Sequence, residues 1–485
     1  MSLMAPVASS SISDSASLLS DPKKEDSYSE YQRCANPCLP IEKYDKEFKI
    51  DRKTVRYEQQ YANLYFVRLS ILKRRVEKVA AEAWDGIEFW SQPAKQVDRV
   101  LDVKQGELSW VVGTVYMEMP QKPNILDEIT KEFWTVVPIS KDKFADPEHD
   151  EITLEDDSGR LVLAGSVIKN QLIVTGCVIA VLGAETASGE FEVRDIIFPG
   201  LAPQIPRSIS TSTSKRYIAL ISGLDISGSI HQGYETSLLI EYLMGELGSD
   251  PSFAHGSDIV HAIFAGNSLA EASESDSDSA NSLLPSKDKK YGYDKASYDS
   301  KPTETLDSIL AELSMSLSID LMPGDQDLTN SSMPQQPIHP ALLPKTRRFV
   351  KSTFTTVTNP YWCEVDGARI LGTGGQAISD IYKYVKGDDR IEMMKSTLLW
   401  QHCAPTAPDT LWSYPFQDKD PFILDECPHV YFAGNQPEFA TTVMQGDDGQ
   451  RVRIIALPKF SVTKEIVLLD IDTLECEVVS FKAGV

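Results

Sequence analysis

The sequence is poor in cationic side chains and in histidine, and both shortages limit what the protein can do. Its 485 residues contain 47 Lys and Arg against 71 Asp and Glu, which gives a net charge of −24 at pH 7. Lys and Arg supply most of the affinity of proteins for duplex DNA, so an acidic chain is a poor DNA-binding protein by itself. We interpret the one cationic cluster, Lys73, Arg74, Arg75 and Lys78, as a solvated helix face.

Cysteine is also scarce, and its spacing excludes a recognisable metal motif. The seven cysteines stand at positions 34, 38, 177, 363, 403, 427 and 476. Cys34 and Cys38 are a lone close pair, whereas a structural zinc site needs four ligands at typical spacings. Cys177 and Cys363 lie in apolar, strand-like runs, which predicts that they are core residues. The odd number and the scatter indicate a reducing, intracellular compartment.

A secretory signal and a long apolar segment are missing as well. The first residues are rich in Ser and Ala and lack a positive region followed by an apolar one. No apolar stretch is long enough to span a bilayer, so we expect a soluble protein with no membrane partner. Residues 1–42 are predicted to be a disordered tail.

The composition then changes along the chain in a way that suggests separate domains. Residues 43–97 form a predicted helical lead-in, with Leu64, Val67 and Ile71 at helical spacing. Residues 98–205 contain about five short strands separated by turn signals, which fits an OB-fold β-barrel. Periodicity alone does not distinguish this barrel from an SH3-like one.

Residues 206–485 read as a layered domain of strands and helices. Apolar strands near 217–221, near 259–265 and before Pro323 each end in a Gly turn, which places their loops at one sheet edge. The strand-rich stretch after residue 429 favours a β-sandwich. Residues 271–305 are dominated by Ser, Asp, Glu and Lys, which predicts a disordered acidic loop.

Several segments carry a resemblance to known families. In order along the chain they are DLMPGDQDLTN at 320–330, PQQPIHP at 334–340, NPY at 359–361, GARILGTGG at 367–375, SDI at 379–381, APTAPDT at 404–410 and CPHVYFAGN at 427–435. In layout the chain resembles calcineurin-like metallophosphoesterases. It resembles the B-type small subunits of replicative DNA polymerases closely, and the polymerase delta branch most. The implied fold is an α+β and α/β multidomain protein, with an OB-fold barrel and a metallophosphoesterase-like β-sandwich flanked by helices.

The resemblance also identifies where metal ligands should stand, and these positions are degenerate. Phosphoesterases use Asp, His and Asn at the sheet-end loops to hold two cations that activate water. None of the family's histidine positions keeps a histidine here. The degenerate positions are Gly223, Asp225, Asn267, Ala270, Asp325, Gln326, Gly374, Asn435 and Pro437. The sequence therefore predicts no metal, no other cofactor and no catalytic residue.

The resemblance implies a scaffold in a nuclear polymerase complex that replicates and repairs DNA. The expected partners are the cysteine-rich C-terminal domain of the catalytic subunit and a third accessory subunit. The sliding clamp would be contacted indirectly, a translesion polymerase is a further candidate partner, and DNA would be reached only through the complex. The alternatives are an active metal-dependent phosphoesterase or 3′–5′ exonuclease, and the B-type small subunit of polymerase alpha or epsilon.

Three local patterns compete with this interpretation. OB-folds often bind single-stranded DNA, although acidic runs at 146–151 and 155–157 disfavour this. Gly372, Gly374 and Ala377 fit G-x-G-x-x-A, but the motif comes late in the chain and is explained as a vacated ligand loop. His402 beside Cys403 suggests a nucleophile pair, but the sequence identifies no acidic partner for it.

Overall fold

The computed structural model describes residues 33, 38–51, 53, 55–56, 61–86, 88–89, 92–122, 142–208, 215–227, 233–247, 255–270 and 300–482. Within these ranges the helices are α1 Glu42–Phe48, α2 Ala62–Trp84, α3 Ser166–Asn170, α4 Tyr234–Met244, α5 Lys301–Leu313, α6 Gln376–Tyr384, α7 Arg390–Leu399 and α8 Phe460–Thr463. The first nine strands are β1 Leu39–Pro40, β2 Glu88–Phe89, β3 Gln92–Pro93, β4 Lys95–Gln96, β5 Ser109–Glu118, β6 Glu151–Glu155, β7 Arg160–Ala164, β8 Val178–Glu185 and β9 Phe191–Ile197. The remaining strands are β10 Tyr217–Ile221, β11 Ile259–Ala265, β12 Ser318–Met322, β13 Phe354–Thr356, β14 Tyr361–Val365, β15 Ala368–Thr373, β16 Val430–Gln436, β17 Ala440–Gln445, β18 Arg451–Pro458, β19 Glu465–Asp470 and β20 Cys476–Ser480.

The strands between β4 and β9 form a small closed barrel. The sheet order is β4-β5-β6-β7-β9-β8, and β8 also pairs with β5, which closes the ring. Closure removes the exposed edges that an open sheet would present. The barrel agrees with the sequence prediction, although its sheet begins at β4, a few residues before the predicted boundary at 98.

The lead-in helix α2 lies against this barrel. Its buried residues recur at helical spacing and face β5 and β8. The rings of Trp84 and Trp110 lie 5.9 Å apart between centroids, so an aromatic pair joins the end of the helix to the barrel. The lead-in predicted to be helical over 43–97 is only partly so. It contains the helices α1 and α2, but also the short strands β2, β3 and β4.

Two six-stranded sheets form the rest of the molecule. The first sheet has the order β1-β14-β15-β16-β18-β17 and the second has the order β13-β12-β11-β10-β19-β20. Apolar side chains from both sheets share one core between them, including Ile263, Cys363 and Phe432. Helices cover the outer faces: α6 and α7 lie on the first sheet, and α4 and α5 lie on the second. The structure is therefore a β-sandwich flanked by helices.

Two predicted disordered segments extend too far. The tail prediction covers residues 1–42, but β1 pairs with β14 and α1 begins at Glu42, because a stacked pair of rings, Tyr44 and Trp362, anchors this segment. The loop prediction covers 271–305, but α5 begins at Lys301, where Leu306 and Leu310 are buried. The rest of the two predictions falls on 1–32, 34–37 and 271–299, which lie outside the described residues.

A buried ion pair connects the lead-in helix to the sandwich. Arg68 Nε lies 2.7 Å from Asp420 Oδ2, and its other guanidinium nitrogens donate to the carbonyls of Pro405 and Ala407. Each charge and donor is therefore satisfied at a point where an unpaired ion would be strongly destabilising. Among the described helices, none is long and apolar enough to cross a membrane.

Candidate functional site

A cleft of about 440 Å³ lies where the strands of the two sheets end. Residues that follow β11, β12 and β15 reach it, together with Asn435 near the end of β16 and Lys459 directly after β18, and the loop after β10 lies beside it. Its lining includes Asn267, Asp325, Gly374, Asn435 and Lys459. The topology thus brings together residues that are up to about two hundred positions apart in the sequence.

Two of the predicted ligand positions are acidic, Asp225 and Asp325. The Asp225 carboxylate is the less exposed of the two, and it is already paired. Its Oδ2 lies 2.7 Å from Lys459 Nζ and accepts a hydrogen bond of 2.6 Å from Ser461 Oγ. The Gln326 amide, oriented to satisfy its neighbours, donates to Asp225 Oδ1 at 3.1 Å and to the Leu269 carbonyl at 3.2 Å. A lysine ammonium therefore neutralises the carboxylate at this predicted ligand position.

The glycines at two predicted ligand positions leave no space for the side chains they replace. A Cβ at Gly223 would lie 2.4 Å from Lys459 Cγ and 2.8 Å from Asn435 Oδ1, and the residue has φ of +64°. A Cβ at Gly374 would lie 2.8 Å from Asn359 Nδ2 and 2.8 Å from Gln376 Oε1. Neighbouring side chains occupy the space that an Asp or a His at these positions would need.

Amide side chains form most of the polar network behind the cleft. Asn359 Nδ2 donates to Gln335 Oε1 and to Gln376 Oε1, both at 2.9 Å, and Gln376 Nε2 donates back to Gln335 Oε1 at 2.9 Å. Asn435 Nδ2 donates to the Gly374 carbonyl at 2.9 Å. The oxygens of Asn359, Gln335 and Gln376 are therefore used within the protein, whereas Asn435 Oδ1 is buried and has no hydrogen-bond partner among the described residues.

Two acidic residues of the third loop serve different purposes. Asp325 is exposed at the cleft, whereas Asp327 is buried and accepts hydrogen bonds from the backbone N–H of Leu269 at 3.0 Å and of Gly324 at 2.8 Å. Burial raises the pKa of the Asp327 carboxyl, and these backbone donors lower it only in part. Asp327 therefore fixes the loop geometry.

The remaining predicted positions differ in whether they reach the cleft. Asn267 lines it and accepts from the Gln326 backbone N–H at 3.3 Å. Ala270 instead donates its backbone N–H to the Ile226 carbonyl, and Pro437 is exposed beyond the end of β16. Of the described histidines, none lines the cleft.

The adjacent pair His402 and Cys403 is structural. An acidic partner for the histidine does exist, since His402 Nε2 lies 2.9 Å from Asp420 Oδ2. Both residues of this contact are buried beside Arg68, and burial raises the pKa of the Cys403 thiol. Burial and then Arg68 lower the pKa of His402 to about 4, so the ring is neutral and packs the core.

Sequence reasoning missed Lys459, and it treated Trp412–Phe416 as one aromatic stretch that is a candidate interface. Lys459 directly follows β18, as each predicted ligand loop follows its strand, and this position was the available signal. Trp412 stands on the rim of the cleft with 66% of its surface exposed, whereas the neighbouring aromatic residues Tyr414 and Phe416 are buried. The alternation of apolar and polar residues in the sequence does not predict that Trp412 is exposed while Tyr414 and Phe416 are buried.

Comparisons with known proteins agree with this architecture. The family model described as "DNA polymerase delta subunit OB-fold domain" matches residues 60–196. A second family model, which describes the B-type small subunits of DNA polymerases alpha and epsilon, matches residues 218–441. The first match confirms the predicted OB-fold barrel.

Relatives from plants and yeast match nearly the whole chain. The "DNA polymerase delta small subunit" of Arabidopsis thaliana is 37% identical over 91% of this chain and 95% of its own length. The protein of the same name in Oryza sativa is 38% identical over 88% and 94%, and that of Saccharomyces cerevisiae is 36% identical over 89% and 91%. The chain belongs to the DNA polymerase delta small subunit family.

Proposed function

We propose that the chain is a non-catalytic scaffold subunit of DNA polymerase delta, built on a phosphoesterase-like sandwich whose metal site has been lost. It works in the nucleus, in DNA replication and repair. Its family membership supports the polymerase complex as its setting. One observation supports the scaffold role: Asp225, a predicted ligand position, is paired with the Lys459 ammonium at 2.7 Å.

The chemistry of the cleft supports inactivity. Two-metal hydrolysis needs carboxylates and imidazoles that converge on a pair of cations a few ångströms apart. Here the Asp225 carboxylate is neutralised by a lysine, the amides of Asn359, Gln335 and Gln376 bond to one another, and no predicted histidine position holds a histidine. A cation at this edge would compete with the Lys459 ammonium, which is covalently held in place.

The partners follow from the same resemblance. The cysteine-rich C-terminal domain of the catalytic subunit docks on this chain, and a third accessory subunit docks elsewhere on it and contacts the sliding clamp. A translesion polymerase is a further candidate partner of the same surface. DNA is bound by the complex, which agrees with the net charge of −24 of this chain.

A nuclease assay tests the loss of activity. The purified chain is incubated with Mn²⁺ and either a phosphodiester reporter or single-stranded DNA, beside the Asp225→Asn and Asp325→Asn variants. We expect turnover below about 0.1 s⁻¹ for all three proteins, a rate low on the usual enzyme scale. Faster hydrolysis by the unmodified chain that disappears in either variant would show an active phosphoesterase or exonuclease.

A further inference from the structure

A second polar cluster lies inside the sandwich, between its two sheets. It consists of Cys38 next to β1, His261 on β11, Asp320 on β12 and Cys363 on β14. All four are buried, with exposed fractions of 8%, 3%, 2% and 0% in that order. Their neighbours in the shared core are apolar, so this group of polar side chains needs a physical reason to be there.

The donor atoms already converge. One ligand atom each of Cys38, His261 and Asp320 lies within 4.8 Å of the others. His261 Nε2 is 3.0 Å from Asp320 Oδ2, and Cys363 lies opposite Pro40 in the β1–β14 pairing, two residues from Cys38. Ligand atoms in a zinc tetrahedron are separated by roughly 3.5 Å, given bonds of about 2.0–2.3 Å, so small side-chain rotations would complete the geometry.

The hydrogen bonds within the cluster leave one member unsatisfied. His261 Nδ1 is fully buried and has no hydrogen-bond partner among the described residues. Two buried thiols and an imidazole that meets a carboxylate through Nε2, close together in an apolar core, are the donors that a bound metal ion would satisfy.

We propose that Cys38, His261, Asp320 and Cys363 form a structural Zn²⁺ site. Two sulfurs, one imidazole nitrogen and one carboxylate oxygen suit zinc, which favours four-coordinate sites of mixed sulfur and nitrogen donors. On binding, each thiol releases its proton to solvent, and the bound group has the same net charge as a Cys₃His site. Tyr361 OH donates to Asp320 Oδ2 at 2.8 Å and would orient that ligand from the second layer.

The ion would join three separate pieces of the chain. Cys38 belongs to the N-terminal segment, Cys363 to the first sheet, and His261 and Asp320 to the second sheet. The first segment also contacts the sandwich through the two-residue strand β1, the helix α1 and the Arg33 guanidinium, which donates to the Ile259 carbonyl at 2.9 Å. A zinc ion would therefore fasten this segment and hold the two sheets together at their centre.

Metal analysis of the full chain tests the site. The chain is purified with Zn²⁺ in the growth medium, and we expect about one zinc per molecule by mass spectrometry. The Cys38→Ala/Cys363→Ala double variant should retain less than about a tenth of that amount. Cys427→Ala is the matched control, because Cys427 is also buried but lies in a different core cluster, and it should keep its zinc. Removal of zinc with a chelator should lower the Tm of the unmodified chain by about 5 °C or more.

Cobalt spectroscopy keeps the test decisive if the double variant does not fold. Co²⁺ loaded into the unmodified chain should show a thiolate-to-metal charge-transfer band and strong visible bands typical of tetrahedral coordination. Folded, unmodified protein that binds neither zinc nor cobalt would overturn the proposal. Zinc that stays at full stoichiometry in a folded double variant would also overturn it, since the ion would then lie elsewhere.

Discussion

At the scale of single residues, the proposed loss of the metal site rests on what surrounds each predicted ligand position. Lys459 supplies the positive charge that Asp225 needs, and Asn435 and Gln376 fill the volume above two glycines. These contacts are coupled at Gly223, where both Lys459 and Asn435 would meet a new side chain. Reinstalling one ligand would therefore disturb packing before it could restore chemistry.

The substitution Gly223→Asp tests this coupling. The new Cβ would meet Lys459 Cγ at 2.4 Å, and the backbone φ of +64° is strained for any residue with a side chain. We expect the free energy of unfolding to fall by about 1–3 kcal/mol, with no gain of Mn²⁺-dependent hydrolysis. Urea denaturation measures the free energy of unfolding, and the nuclease assay measures Mn²⁺-dependent hydrolysis.

Gly387→Asp is the control for that experiment. A Cβ at Gly387 meets no atom within 4 Å, and the residue is exposed, so its replacement should change stability by less than about 0.5 kcal/mol. Equal stability of the two variants would mean that the loop at Gly223 adapts freely. A new metal-dependent activity in Gly223→Asp would mean that the cleft is closer to a working centre than its contacts indicate.

His402 makes the stability of the protein depend on pH. Its Nδ1 accepts the Ala404 backbone N–H at 3.2 Å, so the ring is neutral and Nε2–H donates to Asp420. Burial and then Arg68 lower the pKa of the folded-state ring to about 4, whereas the unfolded ring takes a proton near 6.5. The unfolded state therefore binds more protons in this window, and stability falls as pH decreases from about 6.5 towards 4.

The variant His402→Gln isolates this contribution, because a glutamine amide still donates and accepts but does not titrate. Between about pH 7 and pH 5 the unmodified chain should lose about 2 kcal/mol more unfolding free energy than the variant. Urea denaturation at several pH values gives the comparison. Parallel pH profiles would show that His402 is not the group responsible.

Some contacts between single residues could be predicted from the sequence, and others could not. Strand ends followed by Gly turns were enough to place Asp225, Asn267 and Asn435 near one another. Contacts such as Lys459 with Asp225, or Arg68 with Asp420, join positions that are hundreds of residues apart. A single sequence carries no periodic signal for such pairs, so they appear only when the sheets are assembled.

At the scale of secondary structure elements, strands with a simple burial pattern were predicted well. The strands expected near 217–221 and 259–265 coincide with β10 and β11, whose residues are all buried. In the barrel, apolar residues from Leu172 onward suggest a longer strand than β8, which begins only at Val178, because Gly176 has φ of +92° and packs against the Pro405 carbonyl. Apolar residues before that turn looked like strand, but they pack in a loop.

Helix α2 offers a direct test of the joint between lead-in and barrel. Leu72 is fully buried in the cluster that α2 shares with β5 and β8, whereas Val79 on the same helix is 37% exposed. We expect Leu72→Ala to reduce the unfolding free energy by about 2–5 kcal/mol. Val79→Ala should reduce it by less than about 0.5 kcal/mol, and chemical denaturation compares the two. Similar losses would mean that α2 does not rely on this face.

At the scale of the whole molecule, the question is which surface binds a partner protein. Trp412 is held rigidly, because its carbonyl accepts the Met333 backbone N–H at 2.8 Å, yet most of its side chain is exposed at the cleft. Exposed tryptophans on ordered backbone are frequent anchors of protein interfaces. The proposed scaffold role therefore predicts that the rim of this cleft contacts the catalytic subunit.

Trp412→Ala should therefore weaken capture of the catalytic C-terminal domain about tenfold or more, measured by titration against immobilised domain. Tyr234→Ala is the matched control. Tyr234 is 67% exposed but lies on α4, which covers the outer face of the second sheet, and it does not line the cleft. Its effect should be less than about twofold. Equal effects of both variants, or none from Trp412→Ala, would place the interface elsewhere.

The topology of the second sheet has a consequence for biosynthesis. Strand β10 pairs on one side with β19, whose residues follow about 250 positions later. At a translation rate of roughly 5–20 residues per second, the nascent β10 would wait about 12–50 s on the ribosome before its neighbour emerged. During that interval an apolar strand has one open edge, so the half-made chain is a natural client for chaperones.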